Sequence, residues 1–377
     1  MKVCIVVWNS IWFDPRVRKQ IISYLDNGFD VVCVGQKCRK YDAKRVKDIP
    51  CPTKLIDYDP YIAYNRSPIK KMQREWKKDK DLSSAILSES PDVIHANDLD
   101  TLVASVCAAR RLNCRVIFDS HEICVENHHV KGLYKKYATW IERNNIKKID
   151  AMVCVSNAAA DFFVKKYDIN RPIVVTNCSL LSERVVDDTK HDGFEILNHG
   201  QFYSGRGYDI MVESSEYLRQ YPEIKLVLRG FGPTEDELRH RAEQLNSNQV
   251  IFYPRVLVQE LIPMAAKSHV GVAITEPICL NFELSVSNKL FEYASAGLPV
   301  IMSDIPEHRY LNDTYQFGVI IPDNSPESFA KAVIKLYTDK DFYEKCKKNA
   351  IRLSNEINWE NEFKKLIDIE KKMMASR

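Results

Sequence analysis

Short apolar runs alternate with longer stretches of helical periodicity along the whole chain. The runs read KVCIVVW, DVVCVG, DVIHAND, RVIFDSHE, AMVCVSN and IVVTNC in the first half, then FEILNHG, KLVLRGFG, VIFYPRV, VGVAIT, PVIMSD and GVIIPD. Strands separated by helices in this way predict parallel sheets built from β-α-β units. The pattern gives about thirteen strands, more than one doubly wound domain usually holds. It therefore predicts an α/β protein with two Rossmann-like, doubly wound parallel-sheet domains.

The predicted division between these domains lies in a polar segment near the middle of the chain. Residues 181–193, LSERVVDDTKHDG, carry no core pattern and are typical of a linker. We expect a first domain over 1–182 and a second over 192–355. Helical periodicity continues from about Ser325 to the end, and the last stretch, about 357–377, is expected to cross back onto the first domain.

Composition places the chain among globular proteins. It has 377 residues, of which 45% are hydrophobic and 28% charged, values typical of a packed domain. No apolar run reaches membrane-spanning length, and the opening MKVCIVV is short and soon followed by charges, so a cytoplasmic location is expected. The eleven cysteines form no C-x-x-C pair, which indicates reduced thiols.

Charge is distributed unevenly along the chain. Residues 1–180 carry 30 Lys and Arg against 21 Asp and Glu, whereas the remainder carries 24 against 30. The excess concentrates in segments 66–80 and 128–150, where Lys and Arg alternate with aromatic and aliphatic residues. Two interpretations stay open: ordinary solvated helix faces, or a surface that meets anionic lipid headgroups or a phosphorylated acceptor.

Residues that follow the predicted strands are the first candidates for a ligand site, because open α/β sheets bind ligands at the carboxyl ends of their strands. In the second half Arg206 follows FEILNHG, and its guanidinium suits phosphate oxygens. Gly230 and Gly232 follow KLVLR and would let backbone approach a ligand closely. Arg255 and Val256 follow VIFYP and are candidate contacts for a base.

Residues 287–306, SNKLFEYASAGLPVIMSDIP, carry the most specific pattern. A helix that starts at Ser287 or Asn288 would aim its free N–H groups, its positive dipole end and Lys289 at one point, which suits a phosphate. Glu292 is three residues beyond Lys289 and so shares its face of the helix. A carboxylate there can accept hydrogen bonds from the hydroxyls of a ribose. Phosphate beside ribose indicates a nucleotide.

With these motifs the chain resembles the GT-B glycosyltransferases of the large retaining family 4, which includes capsule and lipopolysaccharide assembly enzymes. The resemblance spans nearly the whole chain and rests on FDPRVRKQIISYLDNGFDVVCVG, PDVIHAND, VIFDSHE, GQFYSGRGYDIMVES, LVLRGFGPTEDEL and, most specifically, NKLFEYASAGLPVIMSDIPE. It implies a UDP- or GDP-sugar on the second domain and a glycan or polyprenyl-diphosphate-linked acceptor on the first, with transfer in the cleft between them. It also implies that basic residues replace a metal at the diphosphate.

The resemblance assigns roles to individual positions. Arg206 and Lys289 match the catalytic cations at the diphosphate, and His121 matches a histidine near the sugar. Asp14 and Arg16 are acceptor or cleft candidates, although Asp14 before a proline also makes a good helix start. The donor-binding candidates are Glu292, Glu283, Asn288, Leu290, Gly230, Gly232, Arg255 and Val256.

Two positions depart from the family pattern. Leu284 stands where a donor-sugar Glu is usual, as in a branch with the pattern N-x-x-L-S-x-x-N-K-L-F-E-Y, and Gln201 stands where an Arg is frequent. Three functions other than sugar transfer are also compatible with alternating strands and helices. A dinucleotide-dependent oxidoreductase would need G-x-G-x-x-G after the first strand, where WNSIWFDP has no glycine. A nucleotide-sugar epimerase and an inactive nucleotide-sugar-binding protein remain alternatives.

No metal site is expected from the sequence. A D-x-D match, DYD at 57–59, lies in a basic context of the first half. His95, inside its strand, is interpreted as a hydrogen-bonded core residue. Retaining transfer without a nucleophile near the anomeric carbon fits a front-face mechanism, in which the leaving diphosphate helps deprotonate the acceptor hydroxyl.

Overall fold

The computed structural model describes residues 1–37, 49–57, 68–187 and 189–375; the side chains of residues 13, 68–72, 374 and 375 lie outside that description. The chain divides into two compact units. The first unit comprises Met1–Val175 with Phe363–Arg377, and the second comprises Thr176–Glu362. The second and third residues of DYD, and the first two of segment 66–80, lie outside the described residues.

The first unit is built around a parallel sheet of seven strands in the order β3-β2-β1-β4-β5-β6-β7. Its elements are β1 (Lys2–Val6), α1 (Pro15–Asp26), β2 (Asp30–Lys37), β3 (Thr53–Asp57), α2 (Pro68–Glu89), β4 (Val93–Asn97), α3 (Leu99–Leu112), β5 (Arg115–Ser120), α4 (Gly132–Ile146), β6 (Ala151–Cys154), α5 (Asn157–Tyr167) and β7 (Ile173–Val174), with short 3-10 turns at Ile11–Phe13 and Cys124–Glu126.

The second unit has a parallel sheet of six strands in the order β10-β9-β8-β11-β12-β13. Its elements are β8 (Phe194–Gln201), α6 (Tyr208–Glu213), β9 (Ile224–Phe231), α7 (Glu235–Gln244), β10 (Val250–Pro254), α8 (Leu261–Ala265), β11 (Val270–Ala273), α9 (Leu280–Leu284), α10 (Asn288–Ser295), β12 (Val300–Ser303), α11 (Pro306–Tyr315), β13 (Gly318–Ile321), α12 (Pro326–Thr338) and α13 (Lys340–Glu356), with 3-10 turns at Leu181–Glu183, Ser214–Leu218 and Val258–Glu260. The final helix, α14 (Trp359–Ala375), begins in this unit and ends in the first.

The apolar runs form the central strands because both faces of each sheet are covered by helices. In β1, Val3, Cys4, Ile5 and Val6 are all fully buried, and β12 is buried throughout. A parallel sheet covered on both sides needs such continuous apolar strands. The prediction of two doubly wound parallel-sheet domains is confirmed. Strand β3, sequence TKLID, is the one that the pattern of apolar runs did not include.

Each sheet has one point at which the strand order reverses. In the first unit it lies between β1 and β4, and in the second between β8 and β11. Helices leave opposite faces of the sheet on the two sides of such a point, which opens a crevice at the carboxyl ends of the strands. Residues just after β4 and at the end of β8 therefore border the crevices.

The last helix packs on the first unit, as predicted. The ring of Phe363 meets that of Tyr24 edge-on, with centroids 4.9 Å apart, and Leu366 and Ile367 are buried. None of the helices in the described ranges is both long enough and apolar enough to span a bilayer.

The polar segment 181–193 is attached to the second unit at several points. The N–H of Val185 donates to the carbonyl of Ser295 at 3.0 Å, and that of His191 to Lys267 at 3.0 Å. The chain passes from one unit to the other earlier, at Val175 and Thr176.

Candidate active site

Lys289 lies at the reversal point of the second sheet. Helix α10 begins at Asn288 after Ser287, whose extended backbone ends the preceding loop. From there Lys289 Nζ donates to Asn198 Oδ1 on β8 at 2.7 Å and to the Tyr208 hydroxyl at 3.3 Å, and it lies 4.8 Å from the centre of the Tyr208 ring. Helix and strand together fix the ammonium at the carboxyl edge of the sheet.

The ammonium of Lys289 is held in a place that opposes its charge. Burial lowers its pKa to about 7; the nearby charge of Arg206 lowers it further, against the opposing effect of Glu292. Burial also lowers the pKa of Arg206. Two desolvated cations that repel each other form a site that an anion would stabilise.

Arg206 is presented by a tight loop between β8 and α6. Gly205 and Gly207 on either side have φ of +79° and +71°, the left-handed region that glycine enters without strain. Its guanidinium stacks 4.3 Å from the centre of the Phe282 ring, and its carbonyl accepts from Asn198 Nδ2 at 3.3 Å. Asn198 thereby contacts both the Arg206 loop and the Lys289 ammonium.

Glu292 has a partner that the sequence analysis did not identify. Its Oε2 lies 2.7 Å from Nε2 of His199, a buried residue near the end of β8. The ring of His199 packs against that of Tyr293, with centroids 4.6 Å apart, and its backbone N–H donates to the Tyr293 hydroxyl at 3.0 Å. The Glu292 side chain keeps 27% of its surface exposed, enough to meet a ligand while His199 fixes its orientation.

Gly230 and Gly232 permit close contact within the protein, which differs from the expected approach to a ligand. A Cβ on Gly230, whose φ is +151°, would lie 1.8 Å from the carbonyl oxygen of Gly200 on the neighbouring strand. A Cβ on Gly232 would lie 2.4 Å from the carbonyl oxygen of Phe202. Neither position can hold a side chain, because backbone atoms of Gly200 and Phe202 occupy the space.

The other donor-binding candidates differ in how far their side chains are exposed. Arg255 is exposed and stacks 4.9 Å from the Phe231 ring, with Val256 beside it and half-buried. Glu283 and Asn288 are exposed. Leu290 is fully buried, which places its side chain in the core and leaves only its backbone as a possible ligand contact.

In the first unit, His121 follows β5 and lies against two residues that follow or end β4. Its Nδ1 is 3.1 Å from Asp98 Oδ2, and its Nε2 is 2.9 Å from Asn97 Oδ1. Its side chain is 17% exposed.

Arg16 differs from the expectation of a residue open to a ligand. It is 2% exposed and forms a bidentate pair with Asp119, at 2.9 Å and 3.0 Å, while its remaining nitrogen donates to the Val175 carbonyl. Asp14 is the N-cap of α1 and accepts from the Val17 N–H at 3.0 Å, which confirms the helix-start interpretation. His95 is fully buried and 2.8 Å from the Tyr24 hydroxyl, as its core interpretation predicted.

The basic segments are only partly solvated. Lys78 is buried and paired with Glu75 at 2.9 Å and Asp79 at 3.6 Å, so it cannot belong to a membrane-facing surface. The same two segments also carry exposed aromatic and aliphatic side chains: Trp76 on α2 is 67% exposed, and Leu133 and Trp140 on α4 are 83% and 62% exposed.

The residues missed by sequence reasoning all support predicted ones. They are Asn198, His199, Tyr208 and Phe282 in the second unit and Asn97 and Asp98 in the first. The available indication was their position: Asn198 and His199 end an apolar strand run, as do Asn97 and Asp98. Tyr208 and Phe282 carried no comparable indication.

Solved structures share this architecture. A sucrose-phosphate synthase from Thermosynechococcus elongatus superposes with a TM-score of 0.80 at 15% identity, covering 100% of both chains. Anabaena HepE, solved in complex with UDP and glucose, gives 0.74 at 13% identity, covering 99% of this chain and 100% of that one. Identity this low shows the fold alone, and it confirms the predicted GT-B architecture.

Sequence comparisons give the family. An uncharacterized glycosyltransferase from Methanocaldococcus jannaschii is 22% identical over 237 residues, 59% of each protein, and the chain spans 59% or less of the curated relatives it matches. Residues 182–353 match the family model "Glycosyl transferases group 1", and residues 14–179 match "Glycosyltransferase Family 4". With both parts of the chain matched, the chain belongs to the group 1 glycosyltransferases.

Proposed function

We propose that this chain moves a sugar, with retention, from a UDP- or GDP-sugar to a glycan or lipid-linked acceptor in the synthesis of surface polysaccharide or another glycoconjugate. The observation that carries the proposal is the pair of desolvated cations, Lys289 and Arg206, at the strand-order reversal of the second sheet. That is where open α/β sheets bind nucleotides. The binding of UDP and glucose by HepE, a protein of the same fold, supports the choice of donor.

The proposed chemistry is electrostatic. Negative charge grows on the diphosphate as the glycosidic bond breaks, and Lys289 and Arg206 would stabilise that charge more in the transition state than in the bound donor. In a front-face reaction the leaving diphosphate assists removal of the acceptor proton. Glu292, oriented by His199, would accept hydrogen bonds from the ribose. The cations take the role of a metal, so turnover should persist in EDTA.

Donor binding and turnover are tested with two alanine variants and two matched controls. Lys289→Ala and Arg206→Ala should each weaken the thermal shift produced by UDP or GDP. Each should also slow the release of nucleoside diphosphate, because the transition state loses about 2 to 4 kcal/mol of stabilisation. Lys331→Ala and Arg219→Ala, at exposed positions of the same unit, should leave both unchanged. Wild-type turnover in either site variant would remove that residue from the proposal.

Product analysis separates the remaining alternatives. Transfer should require acceptor, and the anomeric configuration of the product should match that of the donor. An epimerised sugar formed without acceptor, whether free or still attached to the nucleotide, would indicate an epimerase. Binding with neither release of nucleoside diphosphate nor epimerisation would indicate an inactive binding protein. Glu292→Gln should weaken affinity for free nucleoside diphosphate, while Glu344→Gln, at an exposed position on α13, should not.

We further propose that the first unit meets an anionic membrane through α4, which suits a lipid-linked acceptor. Leu133, Tyr137 and Trp140 recur at helical spacing on its exposed side, and Lys136 and Arg143 are exposed beside Trp140. Apolar side chains next to cations are the pattern of helices that lie in the headgroup region. Lys78 is buried, and the side chains of Lys70 and Lys71 lie outside the described residues.

A further inference from the structure

Asp98 has a backbone conformation that few residues other than glycine adopt. Its φ is 62° and its ψ is 165°, outside the left-handed helical region that Asp tolerates. It precedes α3 at the N-cap position, yet its side chain makes no capping hydrogen bond. Strain of this kind persists only where other contacts hold it, so the contacts of the carboxylate are informative.

Both carboxylate oxygens of Asp98 engage one residue. Oδ1 accepts from the backbone N–H of His121 at 3.0 Å, and Oδ2 lies 3.1 Å from Nδ1 of its ring. An ionised carboxylate only accepts hydrogen bonds, so Nδ1 must carry a proton.

The opposite side of the ring is also fixed. Asn97 is fully buried, and its Nδ2 donates to the carbonyl of Val6 at 3.2 Å. This bond turns the amide oxygen of Asn97 toward His121, where Oδ1 lies 2.9 Å from Nε2. Because an amide oxygen only accepts, Nε2 must carry a proton as well. The geometry therefore specifies the doubly protonated imidazolium.

We infer that His121 is an immobile cation at the carboxyl edge of the first sheet and that Asp98 is the residue that positions it. A ring with both nitrogens protonated has no lone pair and cannot act as a general base. In the transfer reaction proposed above, on which this role depends, His121 would stabilise negative charge or an electronegative oxygen through its own fixed charge.

The charged groups around His121 support a stable cation. Burial opposes the charge, but the carboxylates of Asp98 and then Asp119 outweigh it and raise the pKa of His121 to about 9, against a smaller opposing effect of Arg16. His95, on the neighbouring strand β4, is kept neutral by burial, which lowers its pKa.

The test is a proton NMR titration of His121, assigned by the signal that disappears in His121→Gln. In the wild type its midpoint should lie near 9. Asp98→Asn keeps the shape but replaces Oδ2 or Oδ1 with a donor, so the midpoint should fall by about 1 to 3 units. Asp100→Asn, an equal charge change two residues away, should leave it unchanged. A wild-type midpoint near 6.5, or no change in Asp98→Asn, would overturn the inference.

A kinetic measurement addresses the role of the charge. In Asp98→Asn, with the midpoint of His121 lowered to about 7, kcat at saturating donor should fall roughly tenfold more at pH 8 than at pH 6, because the neutral ring predominates only at the higher pH. A loss that is equal at both values would show a merely structural role. The nucleotide-induced thermal shift of the second unit should persist and confirms folding. Absence of transfer by the wild type would defeat the proposed function, while the titration would still decide the state of His121.

Discussion

The surroundings of Lys289 disfavour its protonated form in the absence of a ligand. Its ammonium is desolvated and lies under the influence of Arg206, and its pKa is lowered to about 7 from the usual 10.5. A neighbouring diphosphate reverses this balance, since an anion favours the protonated amine. Binding above pH 7 must therefore include uptake of a proton.

At the residue scale we predict that nucleoside diphosphate affinity depends on pH through Lys289. Between pH 7.5 and 9.5 the wild-type affinity should weaken, by at most about tenfold per pH unit, because an increasing fraction of free protein must first bind a proton. Lys289→Arg keeps a permanent cation and should lose this slope. Isothermal titration calorimetry in two buffers of different ionisation enthalpy measures the proton uptake, and equal slopes in the two proteins would refute the assignment.

At the scale of elements, α14 is attached to the first unit through a chain of buried polar groups. Glu370 and the Tyr24 hydroxyl share a short hydrogen bond, and Tyr24 is 2.8 Å from Nδ1 of His95. The Tyr24 hydroxyl donates to Glu370 Oε1, and Nε2 of His95 lies 3.3 Å from both Asp119 Oδ2 and Gln20 Nε2.

This arrangement predicts a pH dependence of stability that Glu370→Gln should remove. Burial raises the pKa of Glu370 to about 8. In the unfolded chain the same carboxyl loses its proton near pH 4.5. The contribution of Glu370 to the free energy of unfolding therefore falls as pH rises from about 4.5 to 8, by at most about 1.4 kcal/mol per pH unit. Between pH 5 and 8 the melting temperature of Glu370→Gln should rise relative to that of the wild type. The melting temperature of Asp368→Asn, a change at an exposed position, should not. Parallel curves for Glu370→Gln and wild type would indicate an ionised Glu370.

At the scale of the whole molecule, the exposed side of α4 predicts reversible association with anionic membranes. Each Lys or Arg near an anionic bilayer contributes about 1 kcal/mol, and salt screens the attraction. The protein should sediment with anionic vesicles at low salt and be released as salt rises. Lys136→Glu with Arg143→Glu should abolish sedimentation while sparing transfer to a small soluble acceptor.

An equal charge change elsewhere serves as the control for that experiment. Lys345→Glu with Lys348→Glu, at exposed positions on α13 of the second unit, should reduce sedimentation little. Equal binding to neutral and anionic vesicles, or none at any salt, would leave α4 an ordinary solvated helix and favour a soluble acceptor.

The sequence by itself determined the elements and the positions of the principal charges. Continuous apolar runs of strand length predicted the buried parallel strands, and period-3.6 patterns between them predicted helices, including the one that begins at Asn288. Lys289, Arg206 and Glu292 were identifiable because strand ends and helix starts are local features. The domain boundaries and the assignment of acceptor and donor to the two units stay predictions.

Only the tertiary structure decided which partner each of these residues has. The pairing of β8 with β11 and the packing of α10 bring Asn198 to Lys289 and His199 to Glu292, across more than ninety positions of sequence. The same kind of long-range contact turned Arg16 inward onto Asp119 and set Gly230 against Gly200. Local patterns carry no information about such contacts, because they depend on strand order, and strand order is fixed by how the whole core packs.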